Sequence, residues 1–263
     1  MPLIDAGGIK IYSEEQGTGE PLVCIAGLGA AHDAWALMLA PLAAKCRVIV
    51  FDNRGIGRTQ APAAPFDIDR MAEDTRALLD AMGMADAAVA GHSMGCAIAL
   101  ALARRHPARV RRLILCNPCA HLRARSEWVF RNNAKLWRAG VPPARLFSGI
   151  IPWLFSEAWL ADQAKAQTLM EAGATLPEVQ SMADFERQLD ALAAFDARGW
   201  LDQIQPPALV IAGAEDIMTP PEDARELAAR LPHAELAVLP AAHLSLVEAP
   251  EACARRIAEF MAS

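Results

Sequence analysis

Gly91-His92-Ser93-Met94-Gly95 stands between the short apolar run 87–90 and the alanine-rich stretch 96–103. A buried strand that turns at once into a helix must do so inside these five residues, and the residue at the tip, Ser93, is forced into strained backbone angles. Glycine two places before and two places after removes the side chains that would block the flanking backbones. The turn lifts the Ser93 hydroxyl clear of the sheet edge and leaves the N–H of Met94 facing whatever the oxygen attacks. With 16 Gly and 8 Ser in 263 residues, chance would supply this spacing only about 0.03 times per chain at compositional base rates.

Two further segments extend the pattern. Residues 208–213 (ALVIAG) read as a buried strand, with Asp216 three residues past its end. Residues 234–239 read as the next strand, with His243 four residues past its end in a loop before another helix. A serine, a carboxylate and an imidazole thus follow the carboxyl ends of three predicted strands, the edge where open parallel sheets place ligands.

The order Ser93, Asp216, His243 and these contexts resemble the α/β-hydrolase family over nearly the whole chain. Cys24-Ile25-Ala26-Gly27-Leu28-Gly29 and Asp52-Asn53-Arg54-Gly55-Ile56-Gly57-Arg58-Thr59 add to the resemblance, with Ala26 where the family usually has histidine. The motif blend is most similar to the branch of 3-oxoadipate enol-lactonases, carboxylesterases and cofactor-free haloperoxidases. The resemblance implies an α/β fold with a mostly parallel central sheet flanked by helices, and a helical cap inserted after the sixth strand. It also implies roles: Ser93 as nucleophile, His243 as base, Asp216 as the acid that orients it, and the backbone N–H groups of Leu28 and Met94 as an oxyanion hole. No metal or organic cofactor is called for.

Composition agrees with one enzyme-sized unit. A chain of 263 residues that is 54% hydrophobic can bury a substantial core without a disulfide or metal staple. A net charge of −6 gives no basic footprint for nucleic acid. The start, Met1-Pro2-Leu3-Ile4-Asp5-Ala6, has no signal-peptide pattern, and no run of ~18 apolar residues suggests a membrane span. The expectation is a cytoplasmic monomer or homodimer acting on a small ester or lactone. Six cysteines in apolar segments read as reduced, buried small hydrophobes. Cys116-Asn117-Pro118-Cys119 has redox spacing, but lacks a second ligand pair and an obvious following helix.

Along the chain, residues 9–16 and 21–25 suggest an antiparallel pair, after which strands 48–51, 87–90 and 110–116 alternate with helical patterns at 71–82 and 93–106. Thr219-Pro220-Pro221-Glu222 has the form of a capping box and predicts a helix running towards Leu231. Between 119 and 200 the strand rhythm stops, which divides the chain into a core, 1–118 and 201–263, and a helical cap, 119–200. Trp128, Trp137, Trp153 and Trp159 fall inside the cap; Trp153 is the first choice to line a substrate pocket, against the ordinary alternative that such rings pack the cap itself. Arg123, Arg125, Arg131, Lys135, Arg138 and Arg145 face one acid, Glu127, over the cap's first third. They read as a solvated face, with attraction of a carboxylate-bearing substrate as the sharper alternative. C–C bond hydrolysis of a diketone, haloperoxidase chemistry, a slow-turnover small-ligand receptor and a thiol redox protein remain as other readings.

Overall fold

The computed structural model describes residues 3–175 and 180–263. Among these residues nine strands run in chain order: β1 (Ile4–Asp5), β2 (Lys10–Ile11), β3 (Ser13–Gln16), β4 (Pro21–Ile25), β5 (Arg47–Phe51), β6 (Ala87–His92), β7 (Val110–Cys116), β8 (Ala208–Gly213) and β9 (Ala234–Leu239). Seven form one sheet in the order β3-β5-β4-β6-β7-β8-β9, parallel throughout except for the β3 edge. The centre of the sheet is apolar on both faces. In β4, Val23 and Ile25 join the core on one side while Leu22 and Cys24 join the core on the other, the alternation a two-sided parallel strand requires.

The predicted pairing of residues 9–16 with 21–25 does not occur. Ser13–Gln16 pairs antiparallel with β5, and β1 and β2 form a separate ribbon. The reason lies in polarity: Leu22 to Ile25 are all buried and need a strand on each side, whereas the Ser-Glu-Glu-Gln segment suits an edge. Short βα crossovers fill the rest of the first half. The helix Ile68–Ala81 starts with Asp67 accepting from the Arg70 N–H, and Met94–Arg105 is buried over its first ten residues.

Among the described residues, five α-helices lie between β7 and β8: Ala124–Arg138, Pro143–Leu154, Glu157–Ala161, Gln163–Thr175 and Met182–Ala193. They leave the large sheet after its fifth strand in chain order rather than its sixth, because β1 and β2 pair only with each other. The helix Met182–Ala193 reaches down to the sheet edge. Its fully buried Gln188 donates to the Arg54 carbonyl at 2.9 Å and accepts from the Gly29 N–H at 3.4 Å, bridging the two loops that follow β4 and β5. Asp52, also fully buried, ties the same loops by accepting from the N–H groups of His32 and Arg58, each at 2.9 Å.

Candidate active site

The strand β6 ends at His92, the helix begins at Met94, and Ser93 between them has φ 53 and ψ −117. This is the strained geometry expected at the tip of a strand-to-helix turn. The flanking glycines are sterically required. A Cβ on Gly91 would lie 2.3 Å from the Gly95 carbonyl oxygen, and one on Gly95 would lie 2.2 Å from the Ile25 carbonyl oxygen. The turn itself is tied down by the Ser93 N–H donating to the Cys116 carbonyl at 3.0 Å.

His243 and Asp216 converge on that tip. His243 Nε2 lies 3.0 Å from Ser93 Oγ, and His243 Nδ1 lies 2.9 Å from Asp216 Oδ2. Both His243 and Asp216 are buried, while Ser93 is half-buried. The other carboxylate oxygen, Asp216 Oδ1, accepts from the N–H groups of Met218 and Thr219 at 2.8 and 2.9 Å. Burial alone would raise the Asp216 carboxyl, yet the neighbouring His243 and the hydrogen bonds from His243 and Thr219 outweigh it, and its pKa lies below the ordinary aspartate value.

Leu28 belongs to the 26–29 loop after β4, and Met94 directly follows Ser93. A Cβ on Gly27 would come within 3.3 Å of the Ser93 Cβ and the His92 carbonyl oxygen, so the 26–29 loop runs directly against the turn. The N–H of Met94 belongs to the first helical residue and has no carbonyl within the helix to meet. Trp153 is half-buried in the helix Pro143–Leu154, and the next residue, Leu154, accepts the Leu244 N–H at 3.0 Å. The aromatic reading of the insertion divides: Trp128 is 72% exposed, Trp159 stacks on Phe155, and Trp137 packs against Phe185.

Four partners of this site were not assigned from the sequence. The Thr219 hydroxyl sits 2.8 Å from Asp216 Oδ2 and 3.1 Å from the Asn117 carbonyl oxygen. It therefore does not cap the following helix, which begins at Pro221 as expected but with Pro220 at the cap position and no side-chain cap. Asn117, in the left-handed region with φ 52, donates to Asp216 Oδ2 and to the Ala242 carbonyl and accepts from the Ser245 hydroxyl. The His92 ring turns towards the His243 loop. Its Nε2 lies 2.9 Å from the His243 carbonyl oxygen. Burial, then the charge of His243, lowers its pKa to about 4, so His92 is neutral and donates that hydrogen bond. Glu248 accepts from the Ala242 N–H at 2.9 Å.

Cys116 and Cys119 are both free and buried. Burial holds the Cys116 thiol well above its ordinary pKa and pushes Cys119 to about 12. Both remain thiols at neutral pH, unlike a redox pair, which needs an accessible thiolate. In the basic run, Arg123 pairs with Asp223, Arg131 with Glu127 and Asp190, and Arg138 with Glu186. Among the described residues no group of three or more His, Cys, Asp or Glu side chains could hold a metal ion, and no helix is long and apolar enough to cross a membrane.

Comparison with known proteins accords with this architecture. The sequence profile of the alpha/beta hydrolase fold matches residues 20–145 and 177–250. The chain belongs to that family. It is 32% identical over 239 residues, 90% of this chain and 89% of the other, to a protein of Azorhizobium caulinodans that bears the name carbamate hydrolase. It is 31% identical over 225 residues, 86% and 82% of the two chains, to 3-oxoadipate enol-lactonase 2 of Acinetobacter baylyi. The crystal structure of the enol-lactonase from Burkholderia xenovorans LB400 superposes with a TM-score of 0.88 over the whole of both chains, at 27% identity.

Proposed function

We propose that this α/β hydrolase cleaves a small carboxylic ester or lactone through an acyl-enzyme formed on Ser93. The observation that carries the proposal is the unbroken hydrogen-bonded line from Ser93 Oγ through His243 to Asp216, with the serine half-buried at the tip of its turn. His243 Nε2 takes the serine proton as Oγ attacks the acyl carbon, and Asp216 holds the ring and stabilises its cationic form. The N–H groups of Leu28 and Met94 receive the oxyanion, an interaction whose loss costs about 10² to 10³ in rate in comparable sites. His243 then protonates the departing alkoxide. Water, deprotonated by the same ring, attacks the acyl-enzyme, and the acid and free serine are released.

The chemistry uses only these side chains and backbone groups. The helical stretch 119–200 acts as a cap over the core formed by 1–118 and 201–263, with Trp153 lining the substrate pocket. Three of the six basic residues in the cap's first third are already paired with acids of the chain, which favours a neutral acyl group over a carboxylate-bearing one. We read the enzyme as cytoplasmic, a monomer or homodimer with a small-molecule partner only; six free, buried cysteines suit a reducing compartment.

A panel of p-nitrophenyl esters of increasing chain length, with lactones and diketones alongside, tests the reading. Multiple turnover that disappears in Ser93→Ala supports it. A single labelling by a phosphonate probe with no turnover of any ester would instead indicate a ligand receptor, and unchanged turnover in Ser93→Ala would refute the role of the serine.

A further inference from the structure

The backbone around His243 is held from three directions, one of them directly from the helical insertion and another through Glu248, which is bonded to it. The His243 carbonyl accepts from His92. The Leu244 N–H donates to the carbonyl of Leu154, the last residue of the helix Pro143–Leu154. The Ala242 N–H donates at 2.9 Å to Glu248 Oε1, and the same carboxylate accepts from the Ser156 N–H at 3.2 and 3.3 Å and from the Ser156 hydroxyl. Ser156 is itself buried and caps the helix Glu157–Ala161 through the Trp159 N–H. A parallel bond joins the Glu157 N–H to Glu215, the neighbour of Asp216, at 3.1 Å.

Three donors from two separate segments thus converge on the Glu248 carboxylate. A carboxylate accepts at both oxygens, and its negative charge strengthens each bond. An amide there loses the charge and accepts at one oxygen only, its NH₂ end keeping a bond only if the Ser156 hydroxyl turns to accept.

We infer that Glu248 is a positioning residue: it fastens the His243 loop to the 154–157 turn, so that the seating of the helical insertion on the sheet sets the reach of His243 to Ser93. This rests on the acyl-enzyme reading of Ser93 and His243. The insertion is then coupled to the base as well as roofing the site. Displacing it withdraws the imidazole, and seating it restores the 3.0 Å contact.

The test compares full-length wild type, Glu248→Gln and Ser156→Ala for kcat and KM on a short p-nitrophenyl ester, for the rate of phosphonate labelling of Ser93, and for thermal midpoint. In Glu248→Gln, kcat should fall by about tenfold, as expected for a small misplacement of a catalytic group. Labelling should slow in parallel, with KM little changed. Ser156→Ala, which removes only the insertion's hydroxyl from the clamp, should move in the same direction by less, and it carries the test if Glu248→Gln does not fold. Folded variants that keep wild-type kcat and labelling rates, or that change KM alone, overturn the inference. Wild-type activity and its loss in Ser93→Ala, measured in the same series, separate a failure of the clamp from a failure of the underlying mechanism.

Discussion

The Asn117 side-chain amide donates to Oδ2 of Asp216 at 2.9 Å, the same oxygen that faces the His243 ring. Asn117 directly follows β7, which is the neighbour of β8 in the sheet, so the two post-strand residues meet side by side above the sheet edge. An asparagine here supplies a donor to the carboxylate without adding charge.

Asn117→Asp should therefore change the pH dependence of the enzyme. A second carboxylate beside Asp216 removes a hydrogen-bond donor and adds a negative charge that favours the imidazolium form of His243. The acid limb of kcat/KM should move upward by about one pH unit. A pH–rate profile that superposes on the wild type would mean that the Asn117 amide contributes nothing to the electrostatics of the pair.

His92 gives a prediction about stability. Its native pKa, lowered to about 4 by burial and then by the charge of His243, lies below the ordinary histidine value of 6.5. The unfolded chain therefore takes up a proton that the native state refuses. The contribution is fully present above about pH 6.5 and is lost as pH falls towards 4, on the order of 3 kcal/mol across that window. Glutamine retains an amide that can donate to the His243 carbonyl without titrating, so His92→Gln should flatten this part of the curve. Urea unfolding at half-unit steps measures it, and equal slopes for variant and wild type would contradict the assignment of a neutral, buried ring.

Much of this site was legible because its parts obey one-dimensional rules. The positions of Ser93, Asp216 and His243 follow from strand ends, and β6, β7, β8 and β9 end at or within two residues of where apolar runs stop. What escaped was set by partners distant in sequence. Thr219 has the form of a helix cap, but a buried carboxylate three residues away competes for its hydroxyl, and Pro220 already fixes the backbone at the cap position. Nothing in the sequence around Glu248 marks it, because its partner Ser156 lies 92 residues away. The placement of Ser13–Gln16 on β5 required knowing which strand would take the centre of the sheet. Only the polarity of the segment hinted at an edge.

Asp216→Asn probes the orientation of the base. The asparagine amide can present a donor to His243 Nδ1, which stabilises the wrong tautomer, and kcat should fall by about 10³ to 10⁴ with the fold retained. The substitution also bears on acid stability. The native pKa of Asp216 lies below the ordinary aspartate value of 3.8, so the stabilisation its charge provides is present above that value and fades as pH drops through the lower native one. The variant should lose less stability than the wild type on acidification into this range, as read by circular dichroism against pH; an identical acid transition would argue that the Asp216–His243 contact adds no net stability.

Ser93 tests whether the turn stores strain for the sake of the hydroxyl. At φ 53 and ψ −117 any residue with a Cβ is strained, at a cost of about 1–3 kcal/mol. Ser93→Ala keeps the Cβ and the strain while removing the nucleophile. Ser93→Gly relieves the strain, offset by about 0.5–1 kcal/mol of extra chain entropy in the unfolded state. Both variants should lack ester hydrolysis, and the glycine variant should be the more stable by about 1 kcal/mol, seen as a higher urea midpoint at unchanged slope. Should the alanine variant prove equally stable, the turn carries no strain and the backbone angles at Ser93 reflect ordinary packing. If the ordering holds, a serine kept at this position against a more stable glycine is retained for its hydroxyl, since nothing in the packing of the turn favours it.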